Sequence, residues 1–206
     1  MTRNRIYRSS DVIVFKKTTE AFGGLSNMAG GFPIQVNQSL IKTSEALYQA
    51  CRFPHLPEVQ AMILAEASPM AAKMKIKHLR ANSRPDWEQV KVKIMRWSLR
   101  AKLLQNYQDF STLLLATSDN PIVEESNKDS FWGAKPTADD TLTGQNILGR
   151  LLMELREELK TYQQPPESLA PLTIPNFYLL GEPILHISLD NKKILEATDA
   201  PQINLF

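Results

Sequence analysis

Between Pro85 and Gln105 the chain carries one apolar stripe: Trp87, Val90, Ile94, Trp97, Ala101 and Leu104 recur at spacings of 3, 4, 3, 4 and 3. That rhythm keeps them on one face of an α-helix about five turns long. Pro85 suits the start of such a helix, where the N–H that proline lacks would have no partner. A stripe with two tryptophans has to be buried, so other elements must pack around this helix. Lys91, Lys93, Arg96, Arg100 and Lys102 fall mainly on its remaining faces, which predicts a core stripe with a solvated basic back.

Shorter helices are expected upstream. Thr43 or Ser44 can cap one that runs to about Arg52 and holds Glu45 in its first turn. Pro54 and Pro57 end it, a second helix follows Pro57, and a third starts at Ser68-Pro69. A last helix is predicted over roughly 144–160, with Ile147, Leu151, Leu152, Leu155 and Leu159 facing inward. The run Asp11–Phe15, a hairpin pattern over Phe32–Ile41 and the pair Ile122-Val123 read as short strands. Beyond Gln163-Gln164-Pro165-Pro166, the stretch Phe177–Leu189 reads as two short strands around Gly181-Glu182-Pro183. The expected fold class is α+β, a predominantly helical single domain with short strands near its N-terminus and a small C-terminal β appendage. Residues 1–160 would form the domain and 161–206 an extension packed on it.

With 206 residues, 43% of them hydrophobic, the chain can bury such a core without covalent staples. The single cysteine, Cys51, excludes an intramolecular disulfide framework and fits a reducing compartment. No stretch approaches the ~20 apolar residues of a membrane helix. The basic start through Arg8 is not followed by the apolar run of a secretory signal. A cytoplasmic protein that does not engage membranes is expected. The net charge of +2 argues against a dedicated polyanion binder, yet it conceals a division. Residues 71–106 carry ten basic and two acidic groups, and residues 107–206 carry seven and fifteen.

The chemistry-bearing residues are scattered. His55, His78 and His186 are far apart, and Cys51 with His55 makes only half a zinc site, so no metal is expected. Cys51 reads as a small buried hydrophobe, because Pro54 interrupts the helix that would bring His55 beside it. No phosphate-binding loop, dinucleotide fingerprint or nucleophile elbow occurs. Phe22–Gly31 spends four of the eight glycines, which suits either a ligand-hugging loop or a pair of turns. What remains is Asn27 in that loop, Glu45 at one helix start, Arg84 and Trp87 at another, and Asp129 beside Phe131-Trp132-Gly133. Each has a plain alternative: Glu45 can simply meet a helix dipole, and Asp129 can simply shape a turn.

Several segments nevertheless occur in a telling order: Gly24–Met28, Thr43–Ala50, Ser68–Lys73, Arg84–Glu88, Leu99–Lys102, Val123-Glu124, Asp129–Gly133 and Asn146–Arg156. Together they resemble the NADAR (NAD and ADP-ribose) family of YbiA-like N-glycosidases over about residues 11–160. The resemblance implies a compact, mainly helical α+β hydrolase that needs no cofactor and cleaves the bond between ribose C1 and nitrogen. Its substrates would be ADP-ribose attached to guanine, in DNA or a nucleotide, or a phosphorylated ribosylamino-pyrimidine of riboflavin synthesis. The family's reactive glutamate falls on Glu45, its helix-start tryptophan on Trp87 and its aspartate before the W-G pair on Asp129.

The reaction asks for these residue types. Departure of nitrogen leaves positive charge on C1 and the ring oxygen, which a fixed carboxylate stabilises. A second polar group must orient water or move a proton. The resemblance makes Glu45 the principal acid/base and Asp129 its partner. Trp87 and Trp132 would stack on the base or wall off solvent, and Asn27, Arg52 and Arg84 would bind ribose and phosphate. Two departures stand out. Ala46 follows Glu45 where many members have histidine, and Arg52 stands where many have lysine. A glycosylamine can also ring-open to be captured by a lysine amine, a role that the permanently protonated Arg52 cannot fill. These departures motivate an alternative, a non-catalytic ADP-ribose- or NAD-binding module. Stand-alone nucleic-acid binding ranks lower, since Trp87 and Trp97 lie on the buried stripe rather than among exposed charges.

Overall fold

The computed structural model of the protein describes residues 3–189. Within them the α+β expectation holds, with helices making the body and strands staying short. The strands are β1 (Arg5–Arg8), β2 (Ile13–Phe15), β3 (Ile34–Val36), β4 (Ser39–Ile41), β5 (Ile122–Glu124), β6 (Lys135–Pro136) and β7 (Thr141–Gly144). The helices are α1 (Ser44–Ala50), α2 (Pro57–Ala65), α3 (Pro69–Lys75), α4 (Trp87–Gln105), α5 (Tyr107–Leu115) and α6 (Ile147–Lys160).

Helix α4 is the axis of the molecule. Its stripe is buried as the spacing predicts, and α1, α5 and α6 pack around it. Burial goes further than one stripe, for Met95, Ser98, Leu99 and Leu103 are also enclosed. Lys102 is enclosed with them at 0% exposure, which corrects its placement on a solvated back. Neighbours cover α4 on more than one side, so a residue next to the stripe is drawn inside too. The Lys102 ammonium donates to the carbonyls of Gly24 (2.6 Å) and Ser26 (3.1 Å) and lies over the rings of Phe32 and Phe110. Burial without a carboxylate pulls its pKa down to about 7.

The strands form small patches. β3 and β4 make the expected hairpin, turning through Asn37 at a φ of 50°. β2 runs parallel to β5, pairing Phe15 with Glu124. β1 and β6 flank β7, a three-stranded antiparallel sheet absent from the sequence expectation. Residues 141–144 are therefore strand, and the last helix begins three residues later than expected, after Asn146 takes a left-handed conformation.

Residues 161–189 fold back onto the body, and the remainder of the expected extension, 190–206, lies outside the described residues. Strands β8 (Ser168–Leu169) and β11 (Ile187–Ser188) pair, as do β9 (Tyr178–Leu179) and β10 (Glu182–Pro183). Phe177, Leu179, Ile184 and Ile187 are buried in the main core. Trp97 Nε1 donates to Ala170 O at 2.8 Å, and the Trp97 ring meets Phe177 edge-on at 5.0 Å. Fully buried Gln60 stitches the same layer: its amide donates to Ala50 O and Tyr178 O and accepts from Leu180 N. Among the described residues, no helix is long and apolar enough to cross a membrane.

Candidate active site

The start of α1 is built to aim Glu45. Thr43, in extended conformation, caps the helix by accepting from Ala46 N at 3.2 Å. The next two residues tie the helix to the glycine loop, since Ser44 Oγ (3.1 Å) and Glu45 N (2.8 Å) both donate to Asn27 O. The Asn27 side chain then donates to Glu45 Oε2 at 2.5 Å, and Gln49, one turn along, donates to Oε1 at 2.9 Å. Both carboxylate oxygens are thus held by amide donors, and Lys73 Nζ lies 3.9 Å from Oε1. Burial pushes the Glu45 carboxyl above the usual glutamate range. Lys73, the Gln49 amide and Arg52 pull the other way, and the Asp129 charge adds to the rise.

Glu45 lies on a cleft of about 740 Å³. The cleft also takes in Asn27, Arg52, Trp87, Asp129 and Trp132, so six of the seven residues singled out from the sequence line one space. It gathers groups from both charge blocks as well: Lys73, Arg80 and Lys91 from the basic one, and Glu124, Glu125 and Asp129 from the acidic one.

Asp129 does part of its work on its own loop. Its Oδ1 accepts from Phe131 N (2.8 Å) and Trp132 N (2.9 Å), which folds the turn that presents Trp132. Asp129 therefore both shapes the turn and contributes charge to the cleft. The loop sits tightly on β5, where a Cβ on Gly133 would come within 2.5 Å of Glu124 O.

The aromatic residues have unequal freedom. Trp87 is 5% exposed, with Tyr48 at 5.0 Å and the Arg52 guanidinium 4.9 Å from its ring centroid. That crowding makes it a wall of the cleft rather than a stacking platform. Trp132 is partly exposed and meets Tyr48 and Phe131 edge-on, at 5.5 Å and 5.1 Å. Arg52 is fixed by donating from Nε to Ser83 Oγ at 2.6 Å.

Arg84 is the residue that the structure removes from the cleft. Its guanidinium is buried against Asp86, and Nη2 donates to the Pro175 carbonyl. It lines a separate depression with Pro54, His55 and Pro175. Sequence proximity to Trp87 suggested a shared role, but Trp87 opens the helix and Arg84 turns back toward the C-terminal extension. Two glycines of the loop at 22–31 serve packing, for a Cβ on Gly23 would come within 2.4 Å of the Lys17 carbonyl and one on Gly24 within 2.6 Å of Leu113, whereas Gly30 and Gly31 face open space and Gly31 takes a φ of 82°. Cys51 is buried, and burial pushes its thiol up to about 12, as a small core residue requires.

The side chains missing from the sequence reading are Gln49, Tyr48 and Glu124. Gln49 was legible as the residue one turn after Glu45. Glu124 follows the predicted pair Ile122-Val123 and is the last residue of β5, and its position is enforced from behind. Asn146 donates to Ile122 O (2.8 Å) and accepts from Glu124 N (3.1 Å), and a Cβ on Gly149 would come within 2.1 Å of Ile122 O. Helix α6 therefore seats directly on β5. Burial pushes the Glu124 carboxyl up to about 7, with Glu45 and Asp129 adding to the rise and Lys73 opposing it.

Fold and cleft together define a small α+β domain whose carboxylates gather in a cation-lined groove. The family model for the NADAR domain matches residues 14–160, and the chain belongs to that family. It is 37% identical over 148 residues to the N-glycosidase YbiA of Shigella boydii serotype 4, spanning 72% of this chain and 88% of that protein. The riboflavin biosynthesis protein VVA0006 of Vibrio vulnificus is 34% identical over 152 residues, 73% of this chain and 39% of that longer protein. The NMR structure of the E. coli protein YbiA superposes with a TM-score of 0.62 at 36% identity, over 73% of this chain and 86% of that one. The extension beyond residue 160 lies outside the family match.

Proposed function

We propose that the protein is an N-glycosidase that hydrolyses the ribose C1–N bond of a phosphorylated or ADP-ribosylated substrate. The names of the relatives support the reaction class. The observation that carries the reading in this chain is Glu45, a buried carboxylate whose two oxygens are held by Asn27 and Gln49. A carboxylate fixed in that way costs no reorganisation when positive charge grows on the sugar, which is the condition for stabilising the transition state. Arg52, Arg80 and Lys128 line the same cleft, where phosphate oxygens can be met. Asp129 would hold water or ribose with the oxygen not used by its own loop. Trp132 offers a surface for a flat base, while Trp87 and Tyr48 exclude water.

Two substrate classes fit this description, ADP-ribosylated guanine and a ribosylamino-pyrimidine phosphate. The protein is to be incubated with guanine-ADP-ribosylated DNA and, separately, with the ribosylamino compound, and release of the sugar followed. Turnover of either, reduced at least about 10²-fold in Glu45→Gln, supports the proposal. Arg52 favours direct hydrolysis, since a guanidinium cannot form a Schiff base. A borohydride-trapped adduct would instead move the chemistry to a lysine, with Lys73 beside Glu45 the first to test. Binding of ADP-ribose without turnover from pH 5 to 9 would favour the reader module, the reading motivated by Arg52 and Ala46.

A further inference from the structure

A departing amine or guanine nitrogen is a poor leaving group unless it receives a proton as the C1–N bond breaks. Glu45 is badly placed to give one. Burial raises its pKa, but two amide N–H groups point at its oxygens and the Lys73 ammonium stands 3.9 Å from Oε1, and these donors and this cation favour the ionised form. Glu124 is the opposite case in the same cleft. Its carboxyl makes no hydrogen bond or ion pair with the described residues, and it lies among other acids. The groups acting on it come from three sides: Glu45 on α1, Asp129 on the 127–133 loop, and Lys73 on α3. Next to it in sequence, Glu125 is neutralised by Lys16 at 2.5 Å. When two acids share a site and one is surrounded by donors, the charge settles on that one and the proton on the other.

We infer that Glu124 is the general acid of the reaction and delivers its proton to the departing nitrogen, while Glu45 stays ionised beneath the sugar. The inference rests on the N-glycosidase reading above. The C1–N bond breaks with its electron pair going to nitrogen, and the Glu124 proton satisfies that nitrogen. Water forms the new C1–O bond and gives its proton to Glu45. Return of that proton to Glu124 through solvent restores the starting state. The raised pKa of Glu124 fits the role, because the acid must still hold its proton near neutral pH. The backbone clamp from Asn146 explains why an otherwise unpartnered side chain keeps its place.

The test is the pH dependence of kcat/KM from 5.5 to 9 for the wild type, Glu124→Gln and Glu45→Gln, on whichever N-riboside is turned over. The wild type should fall on the alkaline side with a midpoint near 7. At pH 5.5 the Gln variant should be slower by about 10²–10⁴-fold, the usual worth of a general acid. Above 7 the two rates should converge about tenfold per pH unit, because the wild type is losing the proton that the variant never had. Glu45→Gln should be slow throughout while keeping the alkaline fall. A wild-type to Glu124→Gln ratio below threefold, or one that stays constant with pH, overturns the assignment, since a merely structural role slows the enzyme equally at every pH. If the wild type releases sugar from no N-riboside, the functional reading falls and takes this inference with it. If Glu45→Gln abolishes turnover while the Glu124 ratio stays flat, only the inference falls.

Discussion

Replacing Glu124 by glutamine should make the protein more stable at pH 8, and by an amount that disappears in mild acid. The carboxyl has its pKa raised from 4.5 to about 7, chiefly by burial. Below 4.5 the folded and unfolded chains both hold the proton and the site costs nothing. As the pH rises, the unfolded chain ionises first while the folded one resists, and the cost is complete above 7. At 1.36 kcal/mol per unit, the full cost is about 3 kcal/mol. Glutamine keeps the shape and removes the charge. The stability difference should therefore widen in the variant's favour by about 2–3 kcal/mol between pH 5 and pH 8. For a domain of this size that corresponds to roughly 5–10 °C in Tm at pH 8. Urea denaturation of both proteins at pH 5, 6, 7 and 8 gives the curve directly. A difference that does not change with pH would refute the reasoning, and so would a variant that loses stability as the pH rises.

Two other substitutions probe the residues that the structure moved. Arg84→Met should lower stability by about 1–3 kcal/mol, the cost of stranding the Pro175 carbonyl and the Asp86 carboxylate. Because Arg84 does not line the cleft, KM for the substrate should not change, and a rise of tenfold would return it to the site. Lys102 gives a slope of opposite sign from Glu124. Its folded pKa is about 7 against 10.5 when free, so between those values the unfolded chain binds the extra proton and stability rises with pH. Wild type should therefore gain on Lys102→Met from pH 7 to 10, as read by thermal melts at both ends. A flat difference would mean that the ammonium is not buried as described.

Helix positions with strong local signals were readable in the sequence. Ser68-Pro69 capped α3 as expected, Pro57 opened α2, and the stripe from Trp87 to Leu104 is buried at every position. Those features depend on neighbours within one or two turns. The misreadings share the opposite property. Whether Lys102 lies inside depends on the glycine loop, 78 residues back at Gly24, and on α5 folding against α4 so that Phe110 meets the ammonium, and nothing in the rhythm of α4 itself reports either approach. β7 forms because Arg5–Arg8 lies beside it, more than 130 residues away in sequence. Six of the seven site residues nonetheless fell in one cleft, because the family resemblance supplies long-range proximity that periodicity cannot. Arg84 lies elsewhere because its guanidinium is taken up by a distant segment. Its partner carbonyl belongs to Pro175, in an extension that the resemblance does not cover.

The charge division along the chain has a physical consequence at the cleft. Acidic residues of the C-terminal half bring Glu124 and Asp129 toward Glu45, and three carboxylates in one groove repel one another. Two structural features keep that arrangement in place. Cations from the basic segment stand around the groove, with Lys73 acting on both Glu45 and Glu124. The backbone beneath is fixed by close packing of α6 on β5 and by the Asn27 carbonyl at the head of α1. Removing Lys73 should therefore leave the carboxylates in position and change their ionisation. In Lys73→Met both Glu45 and Glu124 lose an attractive charge, so their pKa values should rise further. The alkaline limb of the rate profile should then move upward, while loss of ionised Glu45 slows the reaction on the acid side. An acid limb appearing in the variant at a pH where the wild type is still flat would be the mark of Lys73 holding the pair apart. A uniformly slower enzyme with an unchanged profile would make Lys73 a substrate-binding cation only.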